Sequence, residues 1–339
     1  RVLIFIFLFI IFFLLIVFNT FFHVRAALTD NLFMQKKPIE NMIIIAIDDY
    51  SIQKIGRWPW NRDVFAQLLE KTKEAKVIGM DLSFFEASEN DENLGKAIGQ
   101  SENIVLAAEI NDKVLYKPIF YSSFGYVNII TDSDGITRSI NSQLNNNILP
   151  FAFEIYKKAW NENLPVEKGT HIINFVGKPE TFNTISFYDV LNENYNFKDK
   201  IVLIGATAPD LHDAYFVPIS QGTAMSGVEI HANIIQNLIL NDFINQQSEL
   251  SIIILVFILG ALGLFFISRL NVFYSITIIL IFLVIYGFVS IMLLSKINYL
   301  VDLFFIPLSL IVFIGVGQAI NYLEEKQHRL YLTTAFGKY

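Results

Sequence analysis

Hydrophobic and polar positions divide the chain into a short apolar opening, a long mixed segment and a predominantly apolar close. Residues 2–18 are uncharged and almost wholly aliphatic or phenylalanine, and residues 250–267, 272–294 and 300–320 repeat the pattern later in the sequence. Each run is near or above the roughly 18 to 20 residues that cross a hydrocarbon core as a helix. Four spans put both ends of the chain on one side and leave the intervening segment of about 225 residues alone on the other. The expected divisions are a transmembrane helix in 1–22, an outer domain in 23–248, three transmembrane helices in 249–320 and a helical connector in 321–339. A cleaved leader is the alternative reading of the first run, with Ala26 and Ala27 as the small residues near a cleavage point.

Within the outer segment the pattern changes to short apolar runs closed by charge. Residues 42–47 form an unbroken run ended by Asp48 and Asp49, as expected of a strand buried on both faces. Residues 77–80 end at Asp81, and 201–204 end at Gly205. Between the first two, Val64, Phe65, Leu68 and Leu69 recur at helical spacing over 61–75, with Asn61 placed to cap the helix. Strand, helix, strand predicts a parallel crossover. A second such unit is read from a strand at 172–176 through a helix at 186–191 to the strand at 201, and a long helix is predicted over 226–240. Residues 125–130 and 136–142 are predicted to form an antiparallel hairpin around Thr131-Asp132-Ser133-Asp134-Gly135, because Asp-Gly suits a tight turn. The fold class is therefore α/β, a mostly parallel sheet with an antiparallel hairpin, plus four transmembrane helices.

Charge adds orientation. Arg1, Arg269, Lys326, Arg329 and Lys338 lie on the side of the termini, against Arg25 and Lys296 on the other, which predicts cytoplasmic termini and an extracytoplasmic domain. Residues 23–248 carry 28 acidic and 19 basic side chains, a balance that argues against nucleic acid as a partner. The chain has no cysteine, so neither disulfides nor a thiolate zinc site contributes.

The ordered motifs carry a resemblance. Ile47-Asp48-Asp49-Tyr50-Ser51, Gly56-Arg57-Trp58-Pro59-Trp60-Asn61-Arg62 and Ile78-Gly79-Met80-Asp81 are similar to the opening of the extracytoplasmic CHASE sensor domain of the second type. Asp132-Ser133-Asp134-Gly135 with Arg138 resembles its middle motif. Residues 200–208, Asp213 and Gly227-Val228-Glu229-Ile230-His231-Ala232-Asn233 resemble its last ones. The resemblance covers about residues 25–245, and one span before with three after is also the family's layout. It implies a bacterial input module in the cytoplasmic membrane, attached to a nucleotide cyclase, a histidine kinase or a serine/threonine kinase, and it supplies no ligand.

Candidate chemistry collects where parallel strands end, because ligands commonly bind at that edge. Asp48, Asp49, Asp81 and the turn through Thr207 are expected to share a pocket there, able to hold Mg²⁺ or an amine. The alternative reading has these acids capping helices or pairing with Arg57, Arg62 and Arg138. Trp58 offers a stacking face or covers the core. Asp134 with Asp132 opens a calcium-like D-x-D-G sequence, but Gln143 stands where a bidentate glutamate is needed. His212 with Asp210 and Asp213, and His231 with Glu229, are the imidazole and carboxylate groupings of the domain, and neither has the spacing that sets two imidazoles on one helix face. The ligand-binding candidates are thus Asp48, Asp49, Trp58, Arg62, Asp81, Asp134, Arg138, Thr207, Asp213 and His231, with no catalytic or metal set. Asp302 is placed at the outer interface, where its charge reaches water.

Ile320, Leu323, Gln327, Leu330 and Thr334 follow a heptad seam beyond the last span. Phe336-Gly337-Lys338-Tyr339 resembles the connector that precedes a class III adenylate or guanylate cyclase domain. The expectation is a homodimeric sensing half of such a cyclase, itself without a cofactor, with Mg²⁺ needed only by the cyclase domain. The alternatives are the input region of a kinase, a metal-dependent enzyme on the outer face, or a structural envelope protein.

Overall fold

The structure, a computed structural model, describes residues 1–142 and 148–336, so Gln143 and the 337–339 part of the connector motif lie outside the described residues. The chain divides into two units, Phe33–Ile244 and a second made of Arg1–Leu32 with Asn245–Tyr339. It opens with α1 (Val2–Val17) and α2 (Phe22–Asp30), which meet at a 73° bend and belong to the second unit.

The unit from Phe33 to Ile244 runs β1 (Met42–Ile47), α3 (Asp49–Ile55), α4 (Arg62–Thr72), β2 (Val77–Asp81), α5 (Asp91–Gly99), β3 (Ile104–Asn111), β4 (Val114–Tyr116), β5 (Ser123–Tyr126) and β6 (Ser139–Asn141). It continues through α6 (Phe151–Trp160), β7 (Thr170–Ile172), β8 (Thr184–Ser186), α7 (Phe187–Asn192), β9 (Ile201–Ala206), β10 (Ala214–Tyr215), β11 (Met225–Ser226) and α8 (Gly227–Leu240). The main sheet has the order β4-β3-β2-β9-β1-β8, with β5 alongside β3; every pairing is parallel except β3 with β4. The class is mixed α/β with a mostly parallel sheet.

The unbroken apolar runs follow from burial on both faces. Met42 and Ile44 of β1 pack with α6 and α8 through Phe151, Ile155, Val228 and Ile234. Ile43, Ile45 and Ile47 pack on the other face with Phe65 and Leu68 of α4, Leu94 of α5 and Phe187 of α7. Strand alternation thus divides one sequence run between two cores. Asn61 caps α4 by accepting the Asp63 N–H at 2.9 Å, an interaction that stabilises a helix by about 1 kcal/mol.

Three expectations are corrected. Residues 172–176 do not form a sheet strand; the strand of the second crossover is β8, and the backbone of Asn174 and Val176 bonds instead to the side chains of Asn237 and Asn233 on α8. The turn at Asp132–Gly135 is present, with Gly135 at φ +83°, but its arms meet antiparallel only beside the turn, at the Ile130–Ser139 bridge, and do not continue as the predicted hairpin along their length. One arm contributes to β5, parallel to β3; the other contains β6, which pairs antiparallel with β7. The antiparallel hairpin of the main sheet is β3 with β4, turned through Asp112 and Lys113, both at positive φ. Third, β9 enters between β1 and β2, so the strands that lead to Asp48 and Asp81 are parallel without being neighbours.

The second unit continues from α1 and α2 with β12 (Asn245–Gln246), α9 (Glu249–Phe265), α10 (Val272–Ile297), β13 (Tyr299–Leu300) and α11 (Phe305–Phe336). Among the described residues three helices are long and apolar enough to cross a membrane, and the bent α1–α2 pair makes a fourth if it is one span. Phe5, Phe12 and Ile16 of α1 share a core with Ile252 and Val256 of α9 and Phe305 and Phe313 of α11. A Cβ on Gly260 would stand 2.7 Å from the Phe313 ring, so glycine permits the close approach of α9 and α11. Asp302 does not reach water. Its side chain is 2% exposed and accepts from Arg25 Nε at 2.8 Å while capping α11.

Candidate functional site

The carboxyl ends of the parallel strands separate the expected acids into two groups. Asp48 accepts the Ser51 N–H at 2.8 Å and the Ser186 hydroxyl at 2.9 Å, so it caps α3 and ties it to β8. Asp49 is exposed in the first turn of α3, where a negative charge suits the helix dipole. Thr207 donates its backbone N–H to the Ile47 carbonyl, continuing the β1–β9 pairing. With β9 intervening, Asp81 is level with Ala46, so Asp48 stands two strand spacings across and two residues along from it, about 12 Å at the backbone. The shared pocket of Asp48, Asp49, Asp81 and Thr207 is not formed.

Trp58 packs its ring 5.2 Å from Trp60 and 6.1 Å from Phe65, covering the core below α4. Arg62 lies over the Phe84 ring at 4.5 Å and bonds Asp91 at 3.2 Å. Asp134 and Asp132 both accept from Arg138, at 2.7 and 2.8 Å, and the Arg138 bond holds Asp134 below the usual carboxylate range. The calcium-like sequence is thus engaged by its own arginine. These four side chains serve the scaffold.

Asp81, Asp213 and His231 come together, joined by Tyr215. Asp81 ends β2 on the face covered by α6 and α8. The Asp213 carboxylate sits against Gly227, the first residue of α8: a Cβ there would lie 2.5 Å from Oδ2. Helix N-termini favour negative charge, and glycine makes the seat. His231 stands one helical turn further along α8, 1% exposed, with its Nε2 3.9 Å from Asp81 Oδ2 and its ring 5.2 Å from Phe151. Among the described residues neither ring nitrogen has a hydrogen-bond partner.

Electrostatics set these groups apart from the rest of the domain. Burial, reinforced by the charge of Asp213, pushes the Asp81 carboxyl well above the carboxylate range. Burial also raises Asp213, partly offset by hydrogen bonding from Tyr215. Tyr215 is pushed up to about 12 by burial and by the two acids. His231 is pushed down to about 4 by burial, opposed by the Val127 backbone, which lies near the ring without reaching hydrogen-bond geometry. A buried pair of carboxylates beside a neutral imidazole repels anions and accepts a positive charge or a hydrogen-bond donor. Among the described residues no group of three histidine, aspartate or glutamate side chains is arranged to hold a metal ion. An open groove lined by Glu70, Lys73, Ser101 and Asn103 lies at the opposite edge of the sheet and includes none of these residues.

The rest of the motif at the start of α8 is structural. Glu229 accepts the backbone N–H groups of Glu180 and Thr181, both at 2.9 Å. Asn233 accepts that of Val176 at 2.8 Å, leaving His231 as the motif's polar side chain without a partner. The family model for the CHASE2 domain matches residues 4–266, well over half of the chain. The chain belongs to the CHASE2 domain family. CHASE2 is a sensor domain of signal-transduction proteins, and in this member the motif residues Asp81, Asp213 and His231 converge on one point. Neither the curated proteins nor the solved structures contain a match to the chain.

Sequence reasoning missed Tyr215. Its signal was present in spacing alone: Tyr215, in β10, lies two residues beyond Asp213, which immediately precedes that strand. Gly227 was seen only as part of a motif, and its role depends on a residue 14 positions earlier, Asp213.

Proposed function

We propose that this CHASE2 protein is the membrane-bound sensing half of a bacterial signal-transduction protein, with residues 33–244 outside the cytoplasmic membrane and an effector following Tyr339. The observation that carries this reading is α11: one unbroken 32-residue helix that begins in the apolar core and ends in a polar, exposed stretch. A small signal that binds the outer unit biases it between two arrangements, provided its affinity for the two differs. A continuous helix then transmits the bias as a shift or rotation.

The effector proposed is a class III adenylate or guanylate cyclase, working as a homodimer. Leu323 and Leu330 are 57% and 61% exposed on the heptad seam, whereas Glu325 and Arg329 pair with each other on a different face. Two exposed leucines seven residues apart suit contact between two copies of α11. Kinase input is the second reading, favoured by the same helix, since kinases also respond to paired helices. The metal-enzyme reading draws less support, because Asp48 and Asp134 are engaged in capping and ion pairing.

Single cysteines at 323, 327 and 330 in this cysteine-free chain are expected to crosslink between subunits in membranes at least about tenfold faster than cysteines at 325 and 329, because the seam brings the first set together. Equal rates at all five positions argue against paired output helices. A compartment-specific reporter fused after Tyr339 should report the cytoplasm; a signal from outside refutes the topology.

A further inference from the structure

The cluster of Asp81, Asp213, Tyr215 and His231 contains two carboxylates and, among the described residues, no lysine or arginine acting on either of them. The groups facing it come from four elements and one adjoining residue: Asp81 from β2, Tyr215 from β10, Asp213 just before β10, His231 from α8 and Glu109 from β3, which acts on Tyr215. From α6 it meets the apolar ring of Phe151. Its inner side is closed, with the Asp81 side chain 10% and that of His231 1% exposed, while Asp213 and Tyr215 are half-buried. A positive charge that reaches Asp81 therefore needs a small carrier.

Resting on the sensing role argued above, we propose that Asp81 and His231 form a proton-binding site, and that acidity is a stimulus this domain reads. The geometry supplies the switch. With the imidazole proton on Nδ1, an ionised Asp81 has only lone pairs to present to Asp213 and to His231 Nε2. A proton transferred from hydronium to Asp81, releasing water, turns its carboxyl into a donor. His231 Nε2, 3.9 Å away and without a partner, then becomes its acceptor after a closure of about 1 Å. Protonation therefore ties the end of β2 to the first turns of α8, and ionisation releases them by removing that bond and restoring repulsion from Asp213. The helix so held is also seated on the sheet by Gly205, where a Cβ would stand 2.6 Å from Val228.

The direction follows from the protonation states. Burial raises Asp81 and Asp213, so over the interval between an ordinary carboxylate and the raised value the folded domain holds a proton that the unfolded chain does not. Their contribution to stability is greatest at the acid end and falls as pH rises through the folded value. His231 acts oppositely: depressed to about 4, it withholds a proton that the unfolded chain binds, so its contribution is lost as pH falls below about 6.5. Proton uptake by the acids and charging of His231 thus act on stability in opposite directions.

The test is amide hydrogen exchange on the full chain in detergent, corrected for the intrinsic effect of pH. Amides 226–232 are expected to open severalfold less often at about pH 5.5 than at about pH 8. Asp81→Asn, which always offers a donor, should open slowly at both values. Asp213→Asn removes the neighbouring charge and should move the opening transition to lower pH than in the wild type, a readout that stands even if Asp81→Asn fails to fold. Equal opening of the wild type at both pH values, or a transition unmoved by Asp213→Asn, overturns the proton site. Either result leaves the output-helix crosslinking standing as the separate test of the sensing role.

Discussion

Replacing Asn233 and Asn237 together by leucine is expected to destabilise the α/β unit by about 2 to 6 kcal/mol, a large part of the roughly 5 to 15 kcal/mol that holds a domain together. Leucine keeps the heavy-atom branching of asparagine but is bulkier, so overpacking adds to the lost hydrogen bonding. Asn237 accepts the Asn174 N–H at 2.8 Å, returns a bond to the Asn174 carbonyl at 3.0 Å and reaches Asp242 at 3.0 Å. Asn233 accepts the Val176 N–H at 2.8 Å. Both side chains are fully buried, so no water replaces them, and each orphaned backbone N–H costs about 1 to 3 kcal/mol. All three tryptophans, Trp58, Trp60 and Trp160, lie in this unit, so their fluorescence during urea unfolding of the full chain reports its stability. A midpoint equal to that of the wild type refutes the amide pairing.

That pairing also shows why part of the fold was hidden in the sequence. Residues 172–176 have the apolar composition of a strand, but their backbone partners are side chains of a helix some sixty positions later, and no local pattern reveals that. β1, β2, β9, α4, α7 and α8 were legible because unbroken apolar runs, helical spacing and the Asn61 cap are local signals. The order of the strands was not legible. β9 enters between β1 and β2 from about 120 residues further along, and that insertion separates Asp48 from Asp81. The Asp-Gly turn fixed a reversal of direction, whereas the partners of its two arms were decided by tertiary packing. The candidate site was legible in its members Asp81, Asp213 and His231, each singled out within a motif. Their convergence was not, because it depends on α8 lying across β2 and on the seat that Gly227 leaves for Asp213.

Replacing Arg25 by methionine is expected to cost the helical unit about 3 to 5 kcal/mol, the range found when one partner of a buried ion pair is removed. Methionine retains much of the apolar stem of Arg25, leaving the charge as the principal change. Arg25 Nε bonds Asp302 at 2.8 Å, Nη1 bonds Asn19 at 2.8 Å, and the guanidinium lies 5.1 Å from the centre of the Phe305 ring. Without it the Asp302 carboxylate, 2% exposed, keeps only backbone N–H donors such as that of Phe304. Asp302 is also held through its backbone: its carbonyl accepts the Tyr286 hydroxyl at 2.7 Å and its N–H bonds Gln247 at 2.9 Å. The residue therefore joins α2, the segment before α9, α10 and the start of α11. Asp302→Asn added to Arg25→Met should recover most of the loss, since asparagine caps a helix about as well as aspartate and brings no charge to strand. Unfolding of the full chain in mixed detergent, followed by helical circular dichroism, measures both variants. An Arg25→Met protein as stable as the wild type, or a double variant weaker than the single one, refutes the ion pair as the element that fixes the start of α11.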